Sequence, residues 1–254
     1  MISKILVVGN GAVGSALAKF LRTKFKDVTT WDCLDSALPK EREFDIVHIT
    51  IPFTVWEQYL SAMVNIVSQF TMKRIIVHST IVVGIMTKLK EMRPDMEIYY
   101  SPIRCQEAKM ETEIRELDML IAPHPSEFIY DTLGKIINLV YWNNPEDLVM
   151  AKLLEVAWFG MNLAFVQQAK LICQANDLDF EETYTNYNGW ARIGKDYRRK
   201  ELHYIPRPTF VPGYIGGKCV IPDVQLMKMM KYGDPRLWDW IIETNEYFRG
   251  EKHE

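Results

Sequence analysis

Two stretches of this 254-residue sequence combine residue types and spacings that can do chemistry. The first is Gly9-Asn10-Gly11-Ala12-Val13-Gly14, a G-x-G-x-x-G turn that follows the apolar run Ile5–Val8 and opens a helical stretch. In such a turn the first glycine permits the tight reversal and the second lets a pyrophosphate approach the backbone. The third lets helix and strand pack closely. Asp32 stands 23 residues after Gly9, at the end of the next apolar run, where its carboxylate can accept hydrogen bonds from the hydroxyls of an adenosine ribose. A 2′-phosphate would meet that negative charge, so the expected cofactor is NAD rather than NADP.

The second stretch is Gly213-Tyr214-Ile215-Gly216-Gly217-Lys218-Cys219-Val220-Ile221-Pro222-Asp223, a thiol in glycine-rich surroundings four residues before a carboxylate. It resembles the G-x-x-G-G-x-C-x-x-x-D segment of the UDP-glucose/GDP-mannose dehydrogenase family. Two further pieces fall in the same order. His78-Ser79-Thr80-Ile81-Val82-Val83-Gly84 is similar to that family's S-T-V-P-V-G turn, and Met150-Ala151-Lys152-Leu153-Leu154 to the start of its central helix. The resemblance runs from Ile2 to about Tyr232.

That family oxidises the primary alcohol of a sugar nucleotide to a carboxylate with two NAD, through an aldehyde captured by the cysteine. The resemblance implies Cys219 as nucleophile, Lys152 as the group that stabilises the oxyanion, and Asp223 as the group that handles water or a proton, with Thr80 at the reacting end. Pro52 and Ser79 would lie along the cofactor beside the glycine turn. Gly213, Tyr214, Gly216, Gly217 and Glu107 would face the substrate.

Three departures qualify the picture. The family's asparagine four residues after the lysine is replaced by Val156, and the segment Ser101-Pro102-Ile103-Arg104 has Ile103 where the family places a glutamate, with Glu107 the nearest acid. Only 31 residues follow Asp223. The resemblance is thus to a shortened member without the second nucleotide-binding domain, and the expected substrate is a sugar nucleotide or a smaller sugar phosphate. The basic group Lys195, Arg198, Arg199, Lys200 and Arg207 offers a phosphate contact, or forms a solvated helix end. Two other readings stay open: a relative of the β-hydroxyacid and 6-phosphogluconate dehydrogenases, which use a helical lysine and no cysteine, and a catalytically silent NAD-binding protein.

The elements that must position these residues follow from periodicity. Lys4–Gly9, Val28–Asp32, Asp45–Ile51, Arg74–Ser79, Glu97–Ser101, Met119–Ala122 and Leu139–Trp142 are apolar on consecutive residues, as strands covered on both faces require. Helical stretches between them predict an α/β, doubly wound parallel Rossmann sheet over residues 1–143. Asn144 as cap, Pro145 in the first turn and Glu146 and Asp147 at the positive end of the dipole then open one long helix to about Asn176. Its apolar residues lie on all sides, so residues 144–254 are expected to form an all-helical substrate domain that dimerises through this helix. Asp179 and Glu182 match a capping box for the next helix, and two more helices finish the chain.

Composition sets the remaining bounds. Thirty basic against 33 acidic side chains leave a net charge of −3, so no global field draws the chain to nucleic acid or an anionic membrane. Cys33, Cys105, Cys173 and Cys219 are widely spaced without a C-x-x-C pair, which favours free thiols in the cytoplasm over a disulfide framework or a metal site. No apolar stretch is read as long enough to span a bilayer, since charges interrupt the long helix.

Overall fold

The computed structural model describes residues 4–35, 37–105, 107–186, 210–217 and 219–249. The basic group Lys195 to Arg207 lies outside them. The chain divides into two compact units, residues 1–152 and 153–254.

Each of the seven apolar runs contains a strand of the first unit: β1 Ile5–Val8, β2 Val28–Trp31, β4 Ile46–Ile49, β6 Arg74–Val77, β7 Glu97–Tyr100, β8 Met119–Ile121 and β9 Leu139–Tyr141. Two-residue strands β3 Glu43–Phe44 and β5 Thr71–Met72 form a further small pair. The main sheet is parallel throughout, in the order β2-β1-β4-β6-β7. Every residue of β1 and β4 is buried, which is why their runs lack alternation. From β1 the chain winds outward in both directions, so the switch point of the topology lies between β1 and β4, where ligands of open α/β sheets bind.

The helices are α1 Ala12–Arg22, α2 Trp56–Gln69, α3 Ile85–Met92, α4 Met110–Glu116, α5 Glu127–Thr132, α6 Pro145–Ala175, α7 Val220–Met229 and α8 Pro235–Tyr247. Leu17, Phe20 and Leu21 of α1 share one apolar cluster with Ile46, Ile76 and Tyr99 of the sheet and Met110 and Ile114 of α4. The last two predicted strands do not extend the main sheet. β8 and β9 form their own parallel pair, joined to β7 by one antiparallel bridge between Tyr100 and Ala122. Pro123 follows the bridge and has no N–H with which to continue a ladder.

The expected caps form. Asn144 Oδ1 accepts from the Glu146 N–H at 3.1 Å, and Asp179 Oδ1 accepts from the Glu182 N–H at 2.7 Å. Helix α6 corrects one expectation. It is long and apolar enough to cross a membrane by length and composition, because its charges cluster toward the ends and leave an apolar window between them. Within one chain 39% of that window is buried. Leu154, Trp158, Met161, Phe165 and Ile172 are exposed. Their spacing of three, four and seven residues places them in one stripe.

Candidate functional site

In the first unit the glycine turn sits at the switch point. Gly9 has φ +107°, and a Cβ there would meet Thr50 Oγ1 at 2.7 Å; at Gly14 a Cβ would lie 1.9 Å from the Gly9 carbonyl oxygen. Neither position admits a side chain. Thr50 holds the turn by donating its hydroxyl to the Val8 carbonyl at 2.8 Å. At Gly11, by contrast, a Cβ would meet nothing within 4 Å. The turn is therefore closed against its own fold at two glycines and open at the middle one. Gly11 is also the N-cap of α1 and supplies no side-chain cap, so the first-turn N–H groups remain for an anion. Asn10, Gly11 and Ala12 are exposed and Val13 half-buried.

Asp32 stands at the end of β2. One carboxylate oxygen accepts from the Asn10 N–H at 2.8 Å and the other from the Leu34 N–H at 3.0 Å. The carboxylate thus ties the glycine turn to the second strand, and each oxygen keeps lone-pair capacity for a hydroxyl donor. An open cradle, an uncapped helix N-terminus and a neighbouring carboxylate suit the two halves of an adenosine diphosphate group.

Pro52 is exposed beyond the end of β4, and Thr80 is half-buried after β6. Ser79 is buried, and its hydroxyl donates to the Ile51 carbonyl at 2.5 Å while accepting from Tyr59 at 3.3 Å. Burial pushes the Tyr59 phenol well above its ordinary range. Ser79 therefore ties the ends of β4 and β6 together, and its hydroxyl is engaged within the fold.

A residue read from sequence only as a dipole partner proves to be a clamp. Glu146, in the first turn of α6, accepts from the N–H groups of Gly84 and Thr87 and from the Thr87 hydroxyl, each at 2.8 Å. Its carboxylate caps α3 and so couples the start of the lysine-bearing helix to the turn that follows Thr80. Lys152 is half-buried, and its charge reaches Cys105. Burial and Glu113 nevertheless push the Cys105 thiol up, against Arg104 and Lys152. Glu107 is exposed in a short 3-10 turn.

In the second unit Cys219 is exposed at the N-cap of α7, where the helix dipole favours an anion, and Asp223 is buried one turn further along. Gly213 is half-buried, and Tyr214, Gly216 and Gly217 are exposed, Gly217 with φ +88°. Gln167 of α6 donates to the Gly213 carbonyl at 2.5 Å. Asn245 of α8 accepts from the Ile215 N–H at 2.6 Å. Beyond the cysteine, a Cβ on Gly160 of α6 would lie 3.2 Å from Val220 and Val224 and 3.5 Å from Ile241, so this glycine sets how closely α7 packs. Gln167, Asn245 and Gly160 escaped the sequence reading because their partners are distant in the chain. Val156, at the family's asparagine position, is 5% exposed.

No family model matches the sequence, and no curated protein matches it. Solved structures do match, over nearly the whole chain. A UDP-D-ManNAc dehydrogenase from Pyrococcus horikoshii has a TM-score of 0.73 at 16% identity, covering 96% of this chain and 68% of that one. A UDP-glucose dehydrogenase from the hyperthermophilic archaeon Pyrobaculum islandicum also gives 0.73, at 15% identity, covering 97% and 68%. A 3-hydroxyisobutyrate dehydrogenase from Mycobacterium tuberculosis gives 0.69 at 12% identity, covering 98% and 95%. At these identities the likeness establishes a shared fold: a Rossmann-like sheet followed by helices.

Proposed function

We propose that the chain is an NAD-dependent dehydrogenase acting on a small hydroxylated substrate, in the manner of the nucleotide-sugar dehydrogenases whose fold it shares. The observation that carries this reading is the turn closed at Gly9 and Gly14, open at Gly11 and tied to Asp32. The Gly11–Gly14 backbone would receive the pyrophosphate, Asp32 the adenosine ribose, and Pro52 and the Ser79 backbone the remainder along the strand ends. NAD, when bound, supplies a hydride acceptor. Calorimetric titration tests the reading: NAD should bind more tightly than NADP, and equal or tighter NADP binding contradicts it.

For the chemistry, Cys219 is the proposed nucleophile. Its thiolate adds to the carbonyl carbon of an aldehyde, the carbonyl oxygen takes a proton to give a thiohemiacetal, and loss of a hydride from that carbon together with the hydroxyl proton gives a thioester. Water then displaces the thiolate and releases the acid. Lys152 would stabilise the oxyanion, Asp223 would accept or return the proton, and Thr80 would hold the reacting end. Gly213, Tyr214, Gly216, Gly217 and Glu107 would bound the substrate, a sugar nucleotide or sugar phosphate. Apolar Val156 and Ile103 weaken the hydrolytic step, because neither can orient water.

The fold shared with the 3-hydroxyisobutyrate dehydrogenase favours a second reading, a β-hydroxyacid-type enzyme that uses Lys152 and leaves Cys219 idle. The exposed stripe Leu154-Trp158-Met161-Phe165-Ile172 supports a homodimer through α6. The four free cysteines accord with the cytoplasm.

A further inference from the structure

A second carboxylate is held against the end of β2 beside that of Asp32. The chain reverses over Asp32-Cys33-Leu34-Asp35, where the Asp35 N–H donates to the Asp32 carbonyl at 2.9 Å. The Asp35 side chain closes the same turn, its Oδ2 accepting from the Asp32 N–H at 3.1 Å. The two acids differ in what else they do. Asp32 is half-buried and both its oxygens accept from backbone N–H groups, those of Asn10 and Leu34, so it builds the cradle as well as charging it. Asp35 is exposed, and the hydrogen bond that it accepts could be accepted equally by a neutral amide oxygen. The turn carries no basic residue. Cys33, between the two acids, stays neutral, its thiol pushed up by burial and by the Asp32 charge. Arg22, the last residue of α1, donates to the Val28 carbonyl at 3.3 Å and the Thr30 hydroxyl at 3.5 Å, on the strand rather than the turn.

We propose that Asp35 is a second specificity-determining residue of the cofactor site, one that disfavours NADP by charge and takes no part in holding NAD. The proposal rests on the reading of the glycine turn as an NAD cradle. A ribose whose hydroxyls reach Asp32 brings its 2′ position within about 10 Å of the Asp35 carboxylate, one Debye length at 0.1 M salt. A 2′-phosphate carries close to two negative charges at neutral pH, whereas the 2′-hydroxyl of NAD carries none. Across that distance in water-like surroundings the repulsion amounts to about threefold to fivefold in affinity at low salt. Near 1 M salt the Debye length falls to about 3 Å and the effect of an exposed charge at this range disappears, while the half-buried Asp32 is screened much less. Neutralising Asp32 alone therefore leaves part of the discrimination in place.

Calorimetric titration of the native chain, Asp35→Asn and Asp35→Glu with NAD and with NADP, at about 0.01 M and about 1 M salt, tests the proposal. At low salt Asp35→Asn should bind NADP about threefold to fivefold more tightly than the native chain does, with NAD affinity unchanged. The gain should vanish at high salt. Asp35→Glu keeps the charge and should keep the native ratio. An unchanged ratio in Asp35→Asn, a gain that persists at high salt, or the same gain in Asp35→Glu would overturn the proposal and leave the NAD cradle standing. Failure of the native chain to bind either dinucleotide would overturn the cradle and the proposal together.

Discussion

The side-chain amide of Asn245 holds both backbone groups of Ile215, accepting from its N–H at 2.6 Å and donating to its carbonyl at 3.4 Å. Asn245 is fully buried and also receives a hydrogen bond from Gln167 at 3.3 Å. The last helix and the long helix thus anchor the glycine segment four residues before Cys219. Asn245→Ala strands the Ile215 N–H, at a cost of about 1–3 kcal/mol for an unmet buried donor. Thermal unfolding should show that loss, and Cys219 alkylation by iodoacetamide, followed by peptide mass spectrometry, should change rate while Cys33 alkylation does not. An unchanged Cys219 rate would show that the anchor does not reach the thiol.

On the other side of the cysteine, Gly160→Leu would drive a large side chain into Val220 and Val224. Overpacking of this kind typically costs about 1–3 kcal/mol. The expected result is a lowered unfolding midpoint with Cys219 alkylation altered. Gly160→Ala, whose contacts at 3.2 Å ask the neighbours to give slightly, should have a smaller effect in the same direction. Equal stability for Gly160→Leu and the native chain would contradict the close packing of α6 on α7.

Acid should destabilise the first unit. Burial holds His48 and His78 below their ordinary value of 6.5, His78 at about 4, whereas both titrate near 6.5 when unfolded. The unfolded chain therefore takes up protons first as pH falls. The stability from keeping the rings neutral is complete above 6.5 and is lost progressively toward 4. At about 1.4 kcal/mol per unit, His78 alone accounts for roughly 3 kcal/mol of that decline. Arg104, Asp118 and Cys105 line one cavity with both histidines, and burial keeps the Cys105 thiol neutral over this range. Chemical denaturation from pH 7 to pH 4 should show the decline, flattened in a His48→Leu/His78→Leu variant. An equal slope in that variant would assign the acid sensitivity elsewhere.

Local signals in the sequence carried far, for reasons visible in particular residues. The runs Ile5–Val8 and Ile46–Ile49 lack alternation because both faces are buried, and they read as strands because they are short and rich in β-branched residues. Asn144 and Asp179 read as caps because their partners lie two and three residues away. Pairing was harder. Nothing in the run Met119–Ile121 says that it joins β9 rather than the main sheet, and β3 and β5 are too short for any period. The Glu146 clamp on Gly84 spans 62 residues and the Gln167 bond to Asn245 spans 78, so composition and spacing carried no trace of either. The glycine turn was readable because its chemistry is local, and the anchoring of Cys219 was not because it is tertiary.

Intact-protein mass spectrometry after incubation with an aldehyde substrate and NAD tests the central claim most directly. The thioester should form at Cys219, and because Ile103 and Val156 cannot orient the hydrolytic water, release should be slow by on the order of a hundredfold. The account predicts a Cys219 adduct that appears only when NAD is present, is two hydrogens lighter than the simple addition product, and is absent in Cys219→Ser. The same adduct in the serine variant, or no NAD-dependent adduct in the native chain, would contradict it.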